Sequence, residues 1–197
     1  MNKNVELQPA MDANGSIFFK KQIAKSRCFL EYGCGGSTYY ASMTARVPNI
    51  FSVDTSKIWV DKVKRSLSNS ESYLDLYYCN VGEIGEWGTP INGDRHKHFW
   101  RYTVHPWAAA RKQGLVPDLI LVDGRFRVAS FLYSLIAASE GTLIMFDDYN
   151  DRKKYSVVEE FCEIKEVHGR MAVFCVDKKY SIEEIVPVIV QHSVLFG

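Results

Sequence analysis

The chain has 197 residues, a length that suits one domain around a single core. Hydrophobic residues make up 47% and charged residues 24%, a balance that excludes intrinsic disorder, collagen and coiled coil. The 24 basic and 23 acidic side chains leave a net charge of +1, so nucleic acid is not an expected partner. We therefore expect one domain over residues 1–197.

The sequence shows no sign of membrane insertion or export. No apolar run reaches the roughly 18 residues that a membrane helix needs. The first 16 residues carry three charged side chains and no apolar segment, which argues against a signal peptide. The five cysteines form no Cys-x-x-Cys pair, which favours reduced core thiols over a zinc site. These features predict a cytoplasmic protein that does not contact a membrane.

Short apolar runs alternate with stretches of helical periodicity from residue 12 onward. The pattern predicts helices over 12–26, 38–45, 56–68, 126–139 and 155–162, and a last helix that begins near Ser181 and is limited by Pro187. It predicts strands at 28–31, 50–53, 74–79, 118–123 and 141–146, followed by a hairpin that joins 164–168 to 171–176. Because these strands are almost continuously apolar, we expect an α/β fold, with a doubly wound, mostly parallel sheet and a C-terminal antiparallel hairpin strand.

The segment 82–116 interrupts this regularity with several glycines and two prolines, so we expect a long loop with a helix near 106–113. It is rich in aromatic and basic side chains, including His96, Trp100 and Arg101. Long loops in compact domains are more often functional than idle. The segment is expected to be a lid over a ligand or part of an acceptor pocket, and binding of nucleic acid bases is a third reading.

Acidic residues stand at the ends of four predicted strands: Glu31, Asp54, Asp123 and the pair Asp147-Asp148. Ligands of open parallel sheets bind at the carboxyl ends of the strands, where these residues meet. The sequence therefore predicts a site for a polar ligand at this edge of the sheet.

The segment FLEYGCGGST leaves a predicted strand and enters a helix, and its glycines allow a tight turn and close approach to a ligand. Asp54 stands 21 residues after Gly33, where a carboxylate can bind ribose hydroxyls. Thr38 replaces the third glycine of a dinucleotide loop, and Glu31 would repel a pyrophosphate but attract an amino group. These residues favour S-adenosylmethionine over a nicotinamide cofactor.

With these residues the sequence resembles the class I S-adenosylmethionine-dependent methyltransferases over roughly residues 25–177. Glu31, Gly33, Gly35 and Asp54 match the family pattern, whereas Ser37 stands where a third glycine is common. The segments VDGRFRVASFLYSL and LIMFDDY are similar to small bacterial methyltransferases without an assigned substrate. The resemblance implies a Rossmann-like fold and transfer of a methyl group from S-adenosylmethionine to a small-molecule acceptor, at oxygen.

The resemblance also implies which residues form the site. The cofactor residues would be Glu31, Gly33, Cys34, Gly35, Gly36, Ser37, Asp54, Thr55, Asn80, Val81 and Asp123. Among them, Glu31, Gly33 and Ser37 would meet the methionine part. Asp54 and Thr55 would meet the ribose, and Asn80 and Val81 the adenine. The catalytic residues would be Asp123, Asp147 and Arg125.

The three aspartates Asp123, Asp147 and Asp148 are arranged as in metal-dependent O-methyltransferases, where magnesium binds the acceptor. Arg125 and Arg127 follow Asp123 and could neutralise this cluster, so a magnesium site is the less favoured reading. The two arginines would then form structural ion pairs or a clamp for an anionic acceptor. Asp123 or Asp147 would be the proton acceptor.

Two further expectations stay open at the level of sequence. The aromatic pairs Phe18-Phe19 and Tyr39-Tyr40 suit either the core or the interface of a homo-oligomer. The alternative function is a catalytically inactive module that binds S-adenosylmethionine and acts in assembly or regulation.

Overall fold

The computed structural model describes residues 7–195. Seven strands form one sheet: β1 (Cys28–Tyr32), β2 (Asn49–Asp54), β3 (Tyr73–Tyr78), β4 (Leu119–Val122), β5 (Leu143–Phe146), β6 (Ile164–His168) and β7 (Met171–Cys175). The strand order is β3-β2-β1-β4-β5-β7-β6. The first five strands are parallel, and β7 runs antiparallel to both β5 and β6. The predicted fold class is confirmed, and both strands of the hairpin join the sheet.

The helices are α1 (Ala13–Ile23), α2 (Gly36–Tyr39), α3 (Lys57–Ser66), α4 (Trp100–Lys112), α5 (Arg127–Ala137) and α6 (Ile182–His192). A π-helical turn, Tyr40–Thr44, continues α2, and 3₁₀ turns occupy Glu86–Gly88, His96–His98 and Lys153–Glu160. Within residues 7–195, no helix combines the length and the apolar character that crossing a membrane requires.

Both faces of the sheet are covered, which explains why its central strands are apolar throughout. Successive residues of a strand point to opposite faces. In β1, Phe29 packs on one face with Phe19 of α1, whereas Leu30 and Tyr32 pack on the other with Trp107 of α4. The helices α4, α5 and α6 cover this second face. All five cysteines are free thiols, and four of them are buried.

A buried polar network ties β1 to α4 and α5. The Tyr32 hydroxyl donates to the carbonyl of Thr103 at 2.9 Å and accepts from the Trp107 indole N–H at 3.1 Å. The same indole N–H lies 3.2 Å from the Ser134 hydroxyl. Because buried polar groups are costly without partners, these contacts define how the two helices sit on the sheet.

Three predicted helices differ from those observed, and proline explains two of the differences. α4 begins at Trp100 rather than near residue 106 and contains Pro106, and α6 continues through Pro187 to His192. Proline removes one backbone donor and disfavours the helix interior. Packing outweighs this cost in α4, where Pro106 and Trp107 are both buried. The third predicted helix, at 155–162, is instead a 3₁₀ segment from 153 to 160.

Truncation of a buried strand residue is expected to destabilise the fold strongly. Ile144 of β5 is fully buried, whereas Ile58 at the start of α3 is 83% exposed. Ile144→Ala should lower the free energy of unfolding by about 2–5 kcal/mol, because it removes buried methyl groups and leaves a cavity. The matched change Ile58→Ala should stay within about 0.5 kcal/mol of the wild type. Urea denaturation measures both, and equal effects would contradict the assigned core.

Candidate functional site

The glycine loop after β1 touches the chain segment that follows β4. Gly33 has a φ of 99°, a region that favours glycine, and its N–H donates to the carbonyl of Val53 at 2.8 Å. A Cβ atom added to Gly33 would lie 2.8 Å from the Cα of Gly124. No side chain fits between these two backbones. The loop is therefore held at a fixed place between the ends of β1, β2 and β4.

Glu31 lies beneath this loop rather than on its open side. Its side chain is fully buried and accepts hydrogen bonds from the hydroxyls of Ser37, Thr38 and Ser52. Burial raises the pKa of Glu31 to about 7, and the three hydroxyl donors only partly oppose that rise. Glu31 and Ser37, both predicted to meet the cofactor, are therefore engaged with each other and determine where α2 begins.

Two neighbouring segments support the outer part of the loop. The indole N–H of Trp59 in α3 donates to the carbonyl of Cys34, and the Cys34 side chain is buried. A Cβ atom on Gly36 would collide with the carbonyl of Gln8. The chain before α1 therefore packs directly on the glycine loop, a contact that no pattern in the sequence indicated.

The segment over Asp54 comes from the predicted lid. Asp54 ends β2, and its Oδ1 accepts from the N–H of Ser56 at 2.8 Å. Burial raises the pKa of Asp54 to about 6. The hydroxyl of the next residue, Thr55, donates to the carbonyl of Gly88 at 2.6 Å. The 3₁₀ turn at 86–88 thus closes over Asp54, and the Thr55 hydroxyl holds this turn.

The two residues predicted to lie near an adenine differ in their exposure. Asn80 follows β3 and is exposed, and its side-chain carbonyl accepts from the N–H of Gly82 at 3.1 Å. Val81 is fully buried and belongs to the main core. Only Asn80 presents its side chain at the open edge.

Arg125 extends toward the lid and forms no ion pair with the aspartates among residues 7–195, although its charge acts on Asp123. Its Nη1 donates to the hydroxyl of Thr89 at 2.9 Å, and its backbone N–H donates to the Tyr102 hydroxyl at 3.0 Å. The charge of Arg125 lowers the pKa of Asp54, opposing the effect of burial. Arg125 therefore links the end of β4 to the segment that covers Asp54.

Asp123, Asp147 and Asp148 come together, as predicted, after β4 and β5. One oxygen from each lies within 4.8 Å of the others. Burial and the neighbouring carboxylates raise the pKa of Asp123 to about 7 and also raise that of Asp147. Asp148 has a φ of 54°, a left-handed conformation that is uncommon outside glycine.

Three arginines surround this acidic cluster. Arg127 Nη2 lies 3.2 Å from Asp123 Oδ1 and 3.5 Å from Asp148 Oδ2. Arg152 Nη2 lies 2.9 Å from Asp148 Oδ2. Arg170 Nε lies 3.3 Å from Asp148 Oδ1, and its Nη2 lies 3.7 Å from Asp147 Oδ2. These residues do not fit a magnesium site, because three guanidinium groups oppose a further cation at the same oxygens.

Two of these arginines were missed by the sequence analysis. Arg170 lies in the turn between β6 and β7, and its carbonyl accepts from the N–H of Tyr149. The antiparallel register pairs Phe146 with Ala172, which brings residue 170 beside residue 148. The register of the predicted hairpin against β5 could have found this contact. Arg152 lies four residues after Asp148 in an irregular segment, and no sequence pattern indicated its contact with that aspartate.

Comparisons with known proteins identify the fold. No family model matches the sequence, and no curated protein matches it. A methyltransferase-like protein from Silicibacter pomeroyi superposes with a TM-score of 0.83 at 24% identity, over 96% of this chain and 98% of that one. Cofactor-bound Rv0187 from MTB superposes with a TM-score of 0.57 at 13% identity, over 85% of this chain and 81% of that one. The chain has the Rossmann-like methyltransferase fold.

Substitution of Gly33 is expected to disrupt the contact between the loop and Gly124. Gly33→Ala places a methyl group against that backbone at an unfavourable φ, so it should lower the free energy of unfolding by at least about 1–3 kcal/mol. Gly93→Ala is the matched control, since no atom lies within 4 Å of its added Cβ. Chemical denaturation of both variants measures the difference. A Gly33→Ala protein as stable as Gly93→Ala would argue against the close approach.

The buried Glu31 carboxyl is expected to make the stability of the ligand-free protein depend on pH. Its pKa is 4.5 as the reference value and about 7 in the fold, so the folded state retains a proton that the unfolded chain has lost. The free energy of unfolding should therefore fall as pH rises between these values. Glu31→Gln should reduce that fall by on the order of 2 kcal/mol.

Glu160 is exposed, so Glu160→Gln is the matched control for this pH series and should leave the slope unchanged. Denaturation of the three proteins at intervals from acid to neutral pH measures the effect. Parallel curves for the wild type and Glu31→Gln would show that the Glu31 carboxyl ionises normally in the folded protein.

Proposed function

We propose that this protein transfers a methyl group from S-adenosylmethionine to a small-molecule acceptor at an oxygen atom. The observation that carries the proposal is the pairing of two features at one sheet edge. The glycine loop after β1 makes its close contacts through backbone atoms, and the carboxylate of Asp54, oriented by the N–H of Ser56, follows the next strand. The fold shared with a methyltransferase-like protein supports this reading.

The cofactor would be bound mainly by backbone and by one carboxylate. Asp54 would accept hydrogen bonds from the ribose hydroxyls, and Asn80 would lie beside the adenine. The backbone of residues 33–36 would face the methionine part, with Glu31 holding the loop from beneath. Thr55 contributes by holding the 86–88 turn over Asp54. When bound, S-adenosylmethionine supplies an activated methyl group on a positively charged sulfur.

The residues of the chain would then place and deprotonate the acceptor. Holding two reactants in line supplies much of the rate in a displacement of this kind. An oxygen nucleophile must also lose its proton, and a base works best with a pKa near the working pH. Asp123 has such a pKa, about 7, and it ends the strand next to the glycine loop. Asp147 offers a second acceptor, since its buried Oδ1 has no hydrogen-bond partner among residues 7–195.

The binding of S-adenosylmethionine and its demethylated product tests the cofactor assignment directly. Titration calorimetry should show that both compounds bind and that NAD does not. Asp54→Ala should weaken binding at least tenfold, because a hydrogen bond to a charged group contributes about 1.5–3 kcal/mol. Asp61→Ala is the matched control, since Asp61 is an exposed residue of α3 that pairs with Lys57.

Thermal melting of the same samples shows whether each variant is folded. Folded Asp54→Ala protein that binds S-adenosylmethionine as tightly as Asp61→Ala would remove Asp54 from the site. Binding of NAD in place of S-adenosylmethionine would overturn the proposed activity.

A further inference from the structure

A cavity of about 130 Å³ opens beside the acidic cluster, between the start of α5, the 3₁₀ segment 153–160 and the end of α6. Gly124 lines it. The same glycine makes the close contact with Gly33 of the glycine loop. Arg127 also lines the cavity while its guanidinium bonds to Asp123. A molecule in this cavity would therefore lie next to Gly124, which contacts the glycine loop, and next to Arg127, which bonds to Asp123.

The polar side chains that line the cavity carry positive charge or none. They include Lys154, Arg125, Arg127 and His192, and no aspartate or glutamate contributes to the lining. Arg125 donates to the hydroxyl of Thr89, and its charge acts on Asp54 and Asp123. Arg127 is already engaged, because it donates to the carbonyls of Gly124 and Asp147 as well as to Asp123. Lys154 is exposed and forms no ion pair with any residue from 7 to 195. Its charge is thus available to a ligand.

The remaining walls are apolar and aromatic. Val128, Leu195 and Tyr155 contribute to them, and the Lys154 ammonium lies 5.4 Å from the centre of the Tyr155 ring. A cavity of about 150 Å³ in another protein holds one benzene molecule, so this one has room for a body of about one ring. Burial lowers the pKa of His192, which makes its imidazole a neutral hydrogen-bonding group near neutral pH.

We propose that this cavity binds the carboxylate of a small, single-ring or similarly sized methyl acceptor, with Lys154 as its counter-charge. One unpaired ammonium balances one negative charge, which suits a carboxylate better than a phosphate dianion. The apolar walls receive the body of the acceptor, and Arg127, whose Nη2 lies 3.2 Å from Asp123 Oδ1, connects the cavity to the proposed base. This inference rests on the proposed methyl transfer, since it names the chemistry of the acceptor.

The test compares two probes of the same size, the anion 4-hydroxybenzoate and the neutral amide 4-hydroxybenzamide. Their dissociation constants are measured by ligand-observed NMR titration against the full chain, first alone and then with S-adenosylhomocysteine present. The carboxylate should bind about fivefold more tightly than the amide, the gain expected of a partly exposed charge pair. Lys154→Gln should remove this preference.

Lys153→Gln is the matched control, because Lys153 precedes Lys154, is also exposed and does not line the cavity. It should keep the preference of the wild type. Equal binding of the two probes, binding of neither probe, or the same loss in both lysine variants would overturn the proposal.

Calorimetry with S-adenosylmethionine on the same samples separates this inference from the proposed function. Normal cofactor binding with no preference for the carboxylate overturns the acceptor assignment alone. A carboxylate preference that depends on Lys154, in a protein that does not bind the cofactor, supports the anion-binding cavity and overturns the proposed function.

Discussion

The edge of the sheet at the carboxyl ends of the parallel strands is organised around the buried carboxyl group of Glu31. Glu31 is fully enclosed within β1, and three hydroxyls donate to it, two of them from the start of α2. A buried acid is tolerated when it is hydrogen-bonded and can keep its proton, and the raised pKa of Glu31 meets that condition. These bonds determine the direction in which the chain leaves β1. The turn at Gly33, the first residues of α2 and the contact with Gly124 are all positioned relative to this group.

The edge divides into two halves of different electrostatic character. On the β1–β2 side, the carboxylate of Asp54 is covered by the 86–88 turn, and Arg125 is the cation that lowers its pKa. On the β4–β5 side, three aspartates are held among three arginines. The first arrangement suits a ligand that offers hydroxyl donors. In the second, burial raises the pKa of Asp123 and of Asp147, and the arginines oppose a metal cation. The proposed methyl transfer to oxygen would use both properties: a bound nucleoside, and a group that can take a proton from the acceptor.

Most of the fold could be predicted from the sequence, because the signals for its strands are local. Every strand was expected close to its observed position, since the parallel strands are short, mostly apolar runs and β6 and β7 flank the hairpin signal Gly169-Arg170. The helices α4 and α6 were predicted less well, because each contains a proline, which disfavours a helix interior. In α4, the burial of Pro106 and Trp107 that outweighs this cost depends on the whole fold. The acidic members of the site were found at the strand ends. Arg170 was not, since strand pairing brings it to the aspartates, and neither was Arg152, which lies four residues after Asp148 in an irregular segment. The inward orientation of Glu31 and Val81 likewise depends on neighbours that no spacing reveals.

The order of strands has a consequence for how the protein is made. β1 lies in the middle of the sheet, between β2 and β4, so one of its two neighbours is translated about ninety residues after it. A nascent chain that has emerged only as far as α4 presents β1 with one open edge, a row of unpaired backbone N–H and C=O groups. Long-range parallel pairing of this kind forms slowly and leaves strand edges exposed to other chains in the meantime. A chain that ends before residue 119 would therefore be expected to aggregate more readily than the full chain.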